Sequence, residues 1–577
     1  MSAPSGGDDR LESWKEIAAY LGREVRTVQL WEKSENLPVH RHQHARQGSV
    51  YAFKTELDAW RDARKNSPVP VPAASSKPRA PWIVAGAIAV LVIGGLAVWK
   101  GRRPVGDLPS AVVVLPFLDL SPEKDSEYFS DGLTEEVIDA LSRVPNLRVV
   151  ARTSAFAFKG KNTDIREIGK QLNVNAVIEG SVRKSGDRLR ITAQLNRVSD
   201  GYHMWSRTYD RELRDVFAVQ REISQSIASE LRAGQLPTRE HREPTKDLEA
   251  YRLYQEGRYF FNKFEPPESD YKAIERYQQA IARDPNFAAA YAGMADAYSY
   301  LAENFVVAPR QVMPKAKEAA MKALALDDSS AEAHTSLGIV KLDYERDREG
   351  SQREFLRALQ LNPAFGWARH WYAHSLESQN RMEDALREMR AALDMDPLSA
   401  PISWDIAGEL ISLRRYDEAL DYLKKATELF PGVPTFAIMR VCAYYRKGDV
   451  AAARSLVESL KQQPELRKDP MFIAVFATQA AIDGQSAEAR QTLARFEEMR
   501  KTQYIEPFLL IELCNALKDR KQLMIWLRRA DEERSTFVVY MHAYAAYWGL
   551  DSETLAEFDK LPQTRALTTA SGRSSAP

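Results

Sequence analysis

The spacing of apolar positions changes character along this chain, and each change marks an element. Near the amino end Trp14, Ile17, Ala18 and Leu21 recur at helical spacing behind Ser13-x-x-Glu16, a capping-box pattern, and Gly22 stops the helix. Val25, Val28 and Trp31 set a second helix that ends near Asn36-Leu37-Pro38. An extended run around Gly48–Phe53 predicts a short hairpin, and Thr55–Trp60 a closing helix. Pro81 to Trp99 is different: PWIVAGAIAVLVIGGLAVW is apolar on every face. As a helix, Trp82–Trp99 would rise about 27 Å, close to the hydrocarbon thickness of a bilayer, with Trp82 and Trp99 as interfacial anchors. One transmembrane helix is therefore predicted. SPVPVPAASSKPRA, residues 67–80, reads as a flexible tether before it.

Beyond the span, AVVVLPF has the continuous apolar form of a buried strand. Strands are predicted at Leu147–Val150, Asn175–Val182, Leu189–Leu195 and Tyr202–Tyr209, with a tight turn at Ser185-Gly186-Asp187. Helices are predicted at Tyr128–Leu141, Asp164–Leu172 and Val216–Leu231. Strands alternating with helices imply an α/β layer with a partly parallel sheet.

From residue 247 to 562 the chain repeats itself. Ser351, Ala385, Ala419 and Ala453 stand 34 residues apart, and Pro363, Pro397 and Pro431 keep the same step. Ala385, Met389 and Ala392 share one helix face, as do Ala273/Tyr277/Ala280 and Ala419/Leu423/Ala426. Small residues there let paired helices approach closely. Ala316/Ala320/Ala323 carries the pattern after an apparent insertion, Ala295–Pro314. About eight units result, the last ones irregular, as capping units are. Residues 563–577, rich in Ser, Thr and Ala, read as a disordered tail.

Composition adds mainly exclusions. At 577 residues several domains are expected, and 80 basic against 80 acidic residues leave no global field. Cys442 and Cys514 exclude a disulfide framework and read as core residues. His40, His42 and His44 alternate as a strand would present them, but no carboxylate or Cys completes a metal set in the adjoining sequence. Asp131, Glu135, Glu136, Arg152, Lys159 and Glu179 lie near strand ends and read as caps and solvated faces. No phosphate loop, H-E-x-x-H or nucleophile elbow is present. The chain therefore reads as a non-enzyme, with no cofactor and no metal.

Three resemblances organise these segments. The head, residues 1–66, resembles the winged helix-turn-helix of MerR- and excisionase-like DNA-binding proteins in SWKEIAAYLGREVRTVQLWE, LPVHRH and GSVYAFKTELDAW. It implies a second helix in the DNA major groove. The candidate contacts are Arg23, Arg26, Thr27, Gln29 and Lys33, with Arg41, His42 and Arg46 on the wing. Leu30 stands where such heads often carry Arg. Residues 108–233 resemble the TolB-amino-terminal-like (FlgO-like) domain in VVVLPFLDLS, YFSDGLTEEVIDALSRVPNLRVVARTSAFAFKGK, IREIGKQLNVNAVIEGSVRKSGDRLRITAQL and GYHMWSRTYDREL. The period of 34 is the tetratricopeptide signature. That resemblance implies a groove for a peptide or protein, for which Tyr298, Trp367, Trp371, Trp404 and Tyr444 are candidates.

The fold class expected is multidomain and mainly α: winged helix-turn-helix, one transmembrane helix, α/β domain and tetratricopeptide α-solenoid. The whole resembles ToxR-type membrane-bound transcription regulators. It implies a single-pass inner-membrane protein with a cytoplasmic DNA-binding head, a periplasmic protein-binding tail and pairing as a homodimer. Flanking charge does not order the two sides, since Lys77 and Arg79 face Lys100, Arg102 and Arg103 across the span. The alternative is an envelope tetratricopeptide scaffold with no DNA-binding role.

Overall fold

The computed structural model describes residues 9–41, 50–65, 110–122, 127–212, 215–231, 244–263 and 267–562. The chain divides into two compact units, Met1–Pro104 and Val105–Pro577.

In the first unit the order is β1 (Arg10–Leu11), α1 (Trp14–Leu21), α2 (Val25–Glu35), β2 (His40–Arg41), β3 (Val50–Phe53) and α3 (Lys54–Lys65). β3 is the centre of an antiparallel sheet, with β1 and β2 on either side. Ser13 caps α1 by accepting the Glu16 N–H at 3.3 Å, and Glu16 accepts the Glu12 N–H at 2.8 Å. Gly22 ends α1 in the left-handed region, at φ 63°. Ile17, Ala18, Val28, Leu37, Val50, Ala52 and Leu57 form the core, and Trp31 packs on Trp60 at 5.6 Å.

The second unit begins with a sheet of β4 (Ala111–Val114), β5 (Leu118–Asp119), β6 (Arg148–Val149), β7 (Ala176–Ser185), β8 (Arg188–Arg197) and β9 (His203–Glu212). Its order is β6-β4-β7-β8-β9, with β5 also on β7. β4 runs parallel to β6 and β7, while β7, β8 and β9 form an antiparallel meander. Both faces of β4 are covered, which explains its unbroken run of Ala and Val. Val112 and Val114 meet α4 (Glu127–Ser142) through Leu133 and Val137. Val113 faces Ala155 of α5 (Arg152–Phe156) and Ile168 of α6 (Ile165–Gln171). α7 (Val216–Glu230) adds Ile223 and Ile227 to the first of these cores.

A helical solenoid follows. Its pairs are α8–α9 (Leu248–Phe261, Glu268–Arg283), α10–α11 (Ala288–Glu303, Pro309–Leu326), α12–α13 (Ala331–Ile339, Arg348–Leu361), α14–α15 (Gly366–Glu377, Met382–Met395), α16–α17 (Ala400–Ser412, Tyr416–Leu429), α18–α19 (Thr435–Lys447, Val450–Leu460), α20–α21 (Pro470–Ile482, Ser486–Met499) and α22–α23 (Ile511–Ala516, Arg520–Glu533). α12 continues as a π-turn through Val340–Glu345. The repeated small positions are the contact faces: Ala273, Tyr277, Ala280, Ala385, Met389, Ala392, Ala419, Leu423 and Ala426 are all buried. Pro363, Pro397 and Pro431 each stand just past the end of a second helix, where proline blocks continuation. This is a tetratricopeptide-like solenoid. The apparent insertion at Ala295–Pro314 covers the end of α10, a short connection at 304–308 and the start of α11, and Pro314 sits inside α11.

The expectation of a membrane-spanning helix is corrected here, and with it the single-pass inner-membrane placement. Among the described residues no helix is long and apolar enough to cross a membrane. The physical reason is length and amphipathicity: the most apolar helix, α20, has 13 residues, against about 20 needed to span hydrocarbon. Pro81–Trp99, with Trp82 and Trp99, lies outside the described residues, as do 67–80 and 563–577.

Candidate ligand cavity

The first helices of successive pairs line the inner surface of the solenoid, and there they enclose a cavity of about 470 Å³. α14 contributes Trp367, His370, Trp371, His374 and Glu377; α16 contributes Trp404, Asp405 and Gly408; α18 and α20 add Ile438, Met439, Val475 and Thr478. The opposite wall is the carboxyl-terminal segment, a 3-10 turn at Thr536–Tyr540 and α24 (Ala545–Trp548), which presents Tyr540, Tyr544, Tyr547 and Trp548.

Polar bonds hold that wall in place. The Tyr540 hydroxyl donates to Asp343 at 2.8 Å and the Tyr544 hydroxyl to Glu377 at 2.9 Å. Arg348 donates to the Val539 carbonyl at 3.2 Å, and Arg446 to the Tyr547 carbonyl at 2.7 Å. The buried pair Arg346–Asp531, at 2.6 Å, anchors the start of the segment.

Two histidines and an aspartate meet in the cavity wall. His370 Nε2 lies 2.7 Å from Asp405 Oδ2 and 3.2 Å from His374 Nε2, and His374 Nε2 lies 3.5 Å from the same Asp405 oxygen. The other nitrogen of His374, Nδ1, sits 2.7 Å from Glu377. Burial disfavours a charged His374, but the Glu377 and Asp405 carboxylates outweigh it and hold its pKa well above the usual imidazole value. Burial lowers the pKa of His370. Burial also opposes ionisation of Asp405, yet the His374 charge and the bonds from both histidines bring it down to about 2. Burial also raises Asp343 to about 7 and, with the neighbouring Glu377 carboxylate, pushes Glu409 well above the carboxylate range.

Of the aromatic residues read as groove candidates, the structure brings Trp367, Trp371 and Trp404 to the cavity. Tyr298 lies apart, its hydroxyl accepting from Gln278 at 3.4 Å, and Tyr444 packs on Ile438, Val457 and Phe472. In the separate amino-terminal unit Arg23, Arg26, Lys33 and Arg41 are exposed, Thr27 and Gln29 half-buried, and Leu30 is 61% exposed. Arg41 pairs with Glu32 at 2.7 Å. His42 and Arg46 lie outside the described residues. His40 has a carboxylate after all: Glu56 of α3 stands 2.7 Å from its Nε2.

The polar residues of the α/β layer are mostly not solvated faces. Glu135, 8% exposed, receives Arg152 and Arg258, each at 2.5 Å, and Asn262 at 3.1 Å, so it ties the sheet to α8. Lys159 pairs with Asp131 at 2.6 Å and with Glu127 at 2.7 Å. Both cysteines are buried free thiols.

No family model matches the chain. It is 36% identical over 244 residues to a putative adenylate cyclase 3 of Rhizobium meliloti, across 41% of each protein. It is 25% identical over 239 residues to the transcriptional regulator HilA of Salmonella typhimurium, across 41% of this chain and 42% of that one. The chain thus spans about two fifths of the length of these curated relatives. Among solved structures, a tetratricopeptide repeat protein from Parabacteroides merdae superposes with a TM-score of 0.35 at 13% identity, over 47% of this chain and all of that one.

The His370–His374–Asp405 cluster escaped the sequence reading. A signal was available: His370 and His374 are one helical turn apart, and Asp405 follows His370 by 35 residues, one more than the repeat period. Only the stacking of adjacent repeats turns that offset into proximity.

Proposed function

We propose that this protein is a tetratricopeptide scaffold whose cavity captures a segment of a partner protein, and that it is a binding protein and not an enzyme. The observation that carries the reading is the cavity itself, concave and walled by Trp367, Trp371, Trp404 and Tyr544 with a few convergent polar groups. Aromatic walls offer large contact area at low entropic cost, so the fitting partner presents one bulky apolar or aromatic side chain on an extended or helical segment. Titrating a peptide library against tryptophan fluorescence tests it. A binding peptide should lose about tenfold or more in affinity to Trp404→Ala, in keeping with an anchor worth ~2 kcal/mol. Peptides that bind the wild type and this variant equally would move the site elsewhere.

A second reading concerns the amino-terminal unit, and one observation favours it. Arg23, Arg26 and Lys33 are exposed on and just before α2, with the β2–β3 pair following. That is the arrangement in which a helix meets DNA, and the relative HilA is called a transcriptional regulator. In this reading the scaffold tail carries a DNA-binding head. Arg26→Ala should then weaken DNA binding; unchanged affinity for every sequence tried would remove it from the contacts.

A further inference from the structure

We propose that His370, His374 and Asp405 form a binding site for one divalent transition-metal ion of the zinc class, set in the wall of the cavity. The site goes beyond the peptide-capture reading and stands or falls without it.

The geometry is the first argument. The three atoms His370 Nε2, His374 Nε2 and Asp405 Oδ2 form a triangle of sides 2.7, 3.2 and 3.5 Å. Such a triangle has a circumradius of about 1.8 Å. A point about 2.05 Å from all three corners, the usual Zn–N and Zn–O distance, therefore lies about 0.9 Å off their plane. The ligand atoms already surround a position of the right size. Widening the 2.7 Å edge by about 0.6 Å would give a regular tetrahedral face.

The surroundings are the second argument. Glu377 holds His374 Nδ1 at 2.7 Å, which turns the Nε2 lone pair toward the shared point, and Tyr544 in turn holds Glu377 at 2.9 Å. Facing nitrogens 3.2 Å apart need a proton between them, or a cation that both can ligate. Among the described residues His370 Nδ1 is buried without a hydrogen-bond partner, and its Nε2 faces the Asp405 carboxylate at 2.7 Å, where a cation can replace the shared proton. Two imidazoles and one carboxylate suit zinc, cobalt or nickel and are a poor match for calcium or magnesium. Three protein ligands leave a fourth position, and all three side chains line the cavity, within reach of water or a partner's side chain.

The test uses the full chain, purified with a chelator and then freed of it. Titrated with Co²⁺, it should develop the intense visible bands of four-coordinate cobalt at one equivalent per chain, and one equivalent of Zn²⁺ should erase them. His370→Gln and Asp405→Asn should each abolish the bands. Glu377→Gln should keep them but weaken affinity about 10–100-fold, as loss of a ligand-orienting carboxylate does. Absence of the bands in the folded wild-type chain overturns the proposal. So do bands that persist in both ligand variants, which would place the ion at other histidines. Should the variants fail to fold, X-ray absorption on the zinc-loaded wild type decides: two imidazoles with oxygen support the site, whereas sulfur or oxygen-only coordination rejects it.

Discussion

The guanidinium of Arg346 and the carboxylate of Asp531, 185 residues apart, form an ion pair at 2.6 Å with side chains only 4% and 2% exposed. Arg346 ends the first helix of the third repeat in the left-handed region, at φ 61°, and Asp531 lies in the last helix pair. The pair brings the carboxyl-terminal segment back across the inner face of the solenoid, where it walls the cavity. Removing one partner leaves an uncompensated buried charge, a loss of about 3–5 kcal/mol. Asp531→Asn should lower the urea midpoint accordingly and open the 534–548 segment to limited proteolysis before the rest of the array. Equal protease resistance in the variant and the wild type would contradict this role.

Asp343 accepts the Tyr540 hydroxyl at 2.8 Å, and burial raises its pKa from 3.8 to about 7. A carboxyl kept neutral in the fold stabilises it fully only below the unfolded pKa, and the contribution disappears as pH rises to the folded pKa. Stability should thus fall between about pH 4 and pH 7, by on the order of 4 kcal/mol from this group. Asp343→Asn should flatten that part of the profile in urea titrations run across the range. An identical slope in the variant would remove Asp343 as its source.

Gly338 of α12 lies against the Phe355 ring of α13, and a Cβ there would occupy the ring's position. Gly338→Ala should destabilise the array by about 1–3 kcal/mol despite the better helix propensity of alanine. The comparison is its thermal midpoint against that of Gly432→Ala, where the added methyl meets nothing within 4 Å among the described residues.

Ser154 of α5 donates its backbone N–H to Asp396 at 3.0 Å and accepts the Leu398 N–H at 2.7 Å, which joins the α/β layer to the loop after α15. Asp396→Ala leaves a buried donor unsatisfied, at a loss of about 1–3 kcal/mol. Hydrogen exchange of residues 148–158 should quicken in the variant. Unchanged exchange would show that Asp396 does not hold the layer, which Arg148 also joins to the Asp394 carbonyl at 2.9 Å.

The repeat architecture was legible because it is written locally. Ala385, Met389 and Ala392 recur every 34 residues, and each unit has only to pack on its neighbours. The charged residues of the α/β layer were misread for the opposite reason. Glu135 looks like a surface residue in its own helix, and Arg152 together with Arg258, 123 residues later, makes it a buried anchor. Pattern likewise could not separate groove aromatics from packing ones: Trp404 reaches the cavity, while Tyr444, on an equally periodic helix, turns into a neighbouring core.

The sequence by itself determined the helix faces, the period and the proline stops, because these depend on residues within one or two turns of one another. The tertiary structure alone decided that the solenoid is closed by its own carboxyl-terminal segment and that His370 and His374 meet Asp405. Both depend on the superhelical stacking of successive repeats, and that path is a sum of small packing angles that no single repeat encodes.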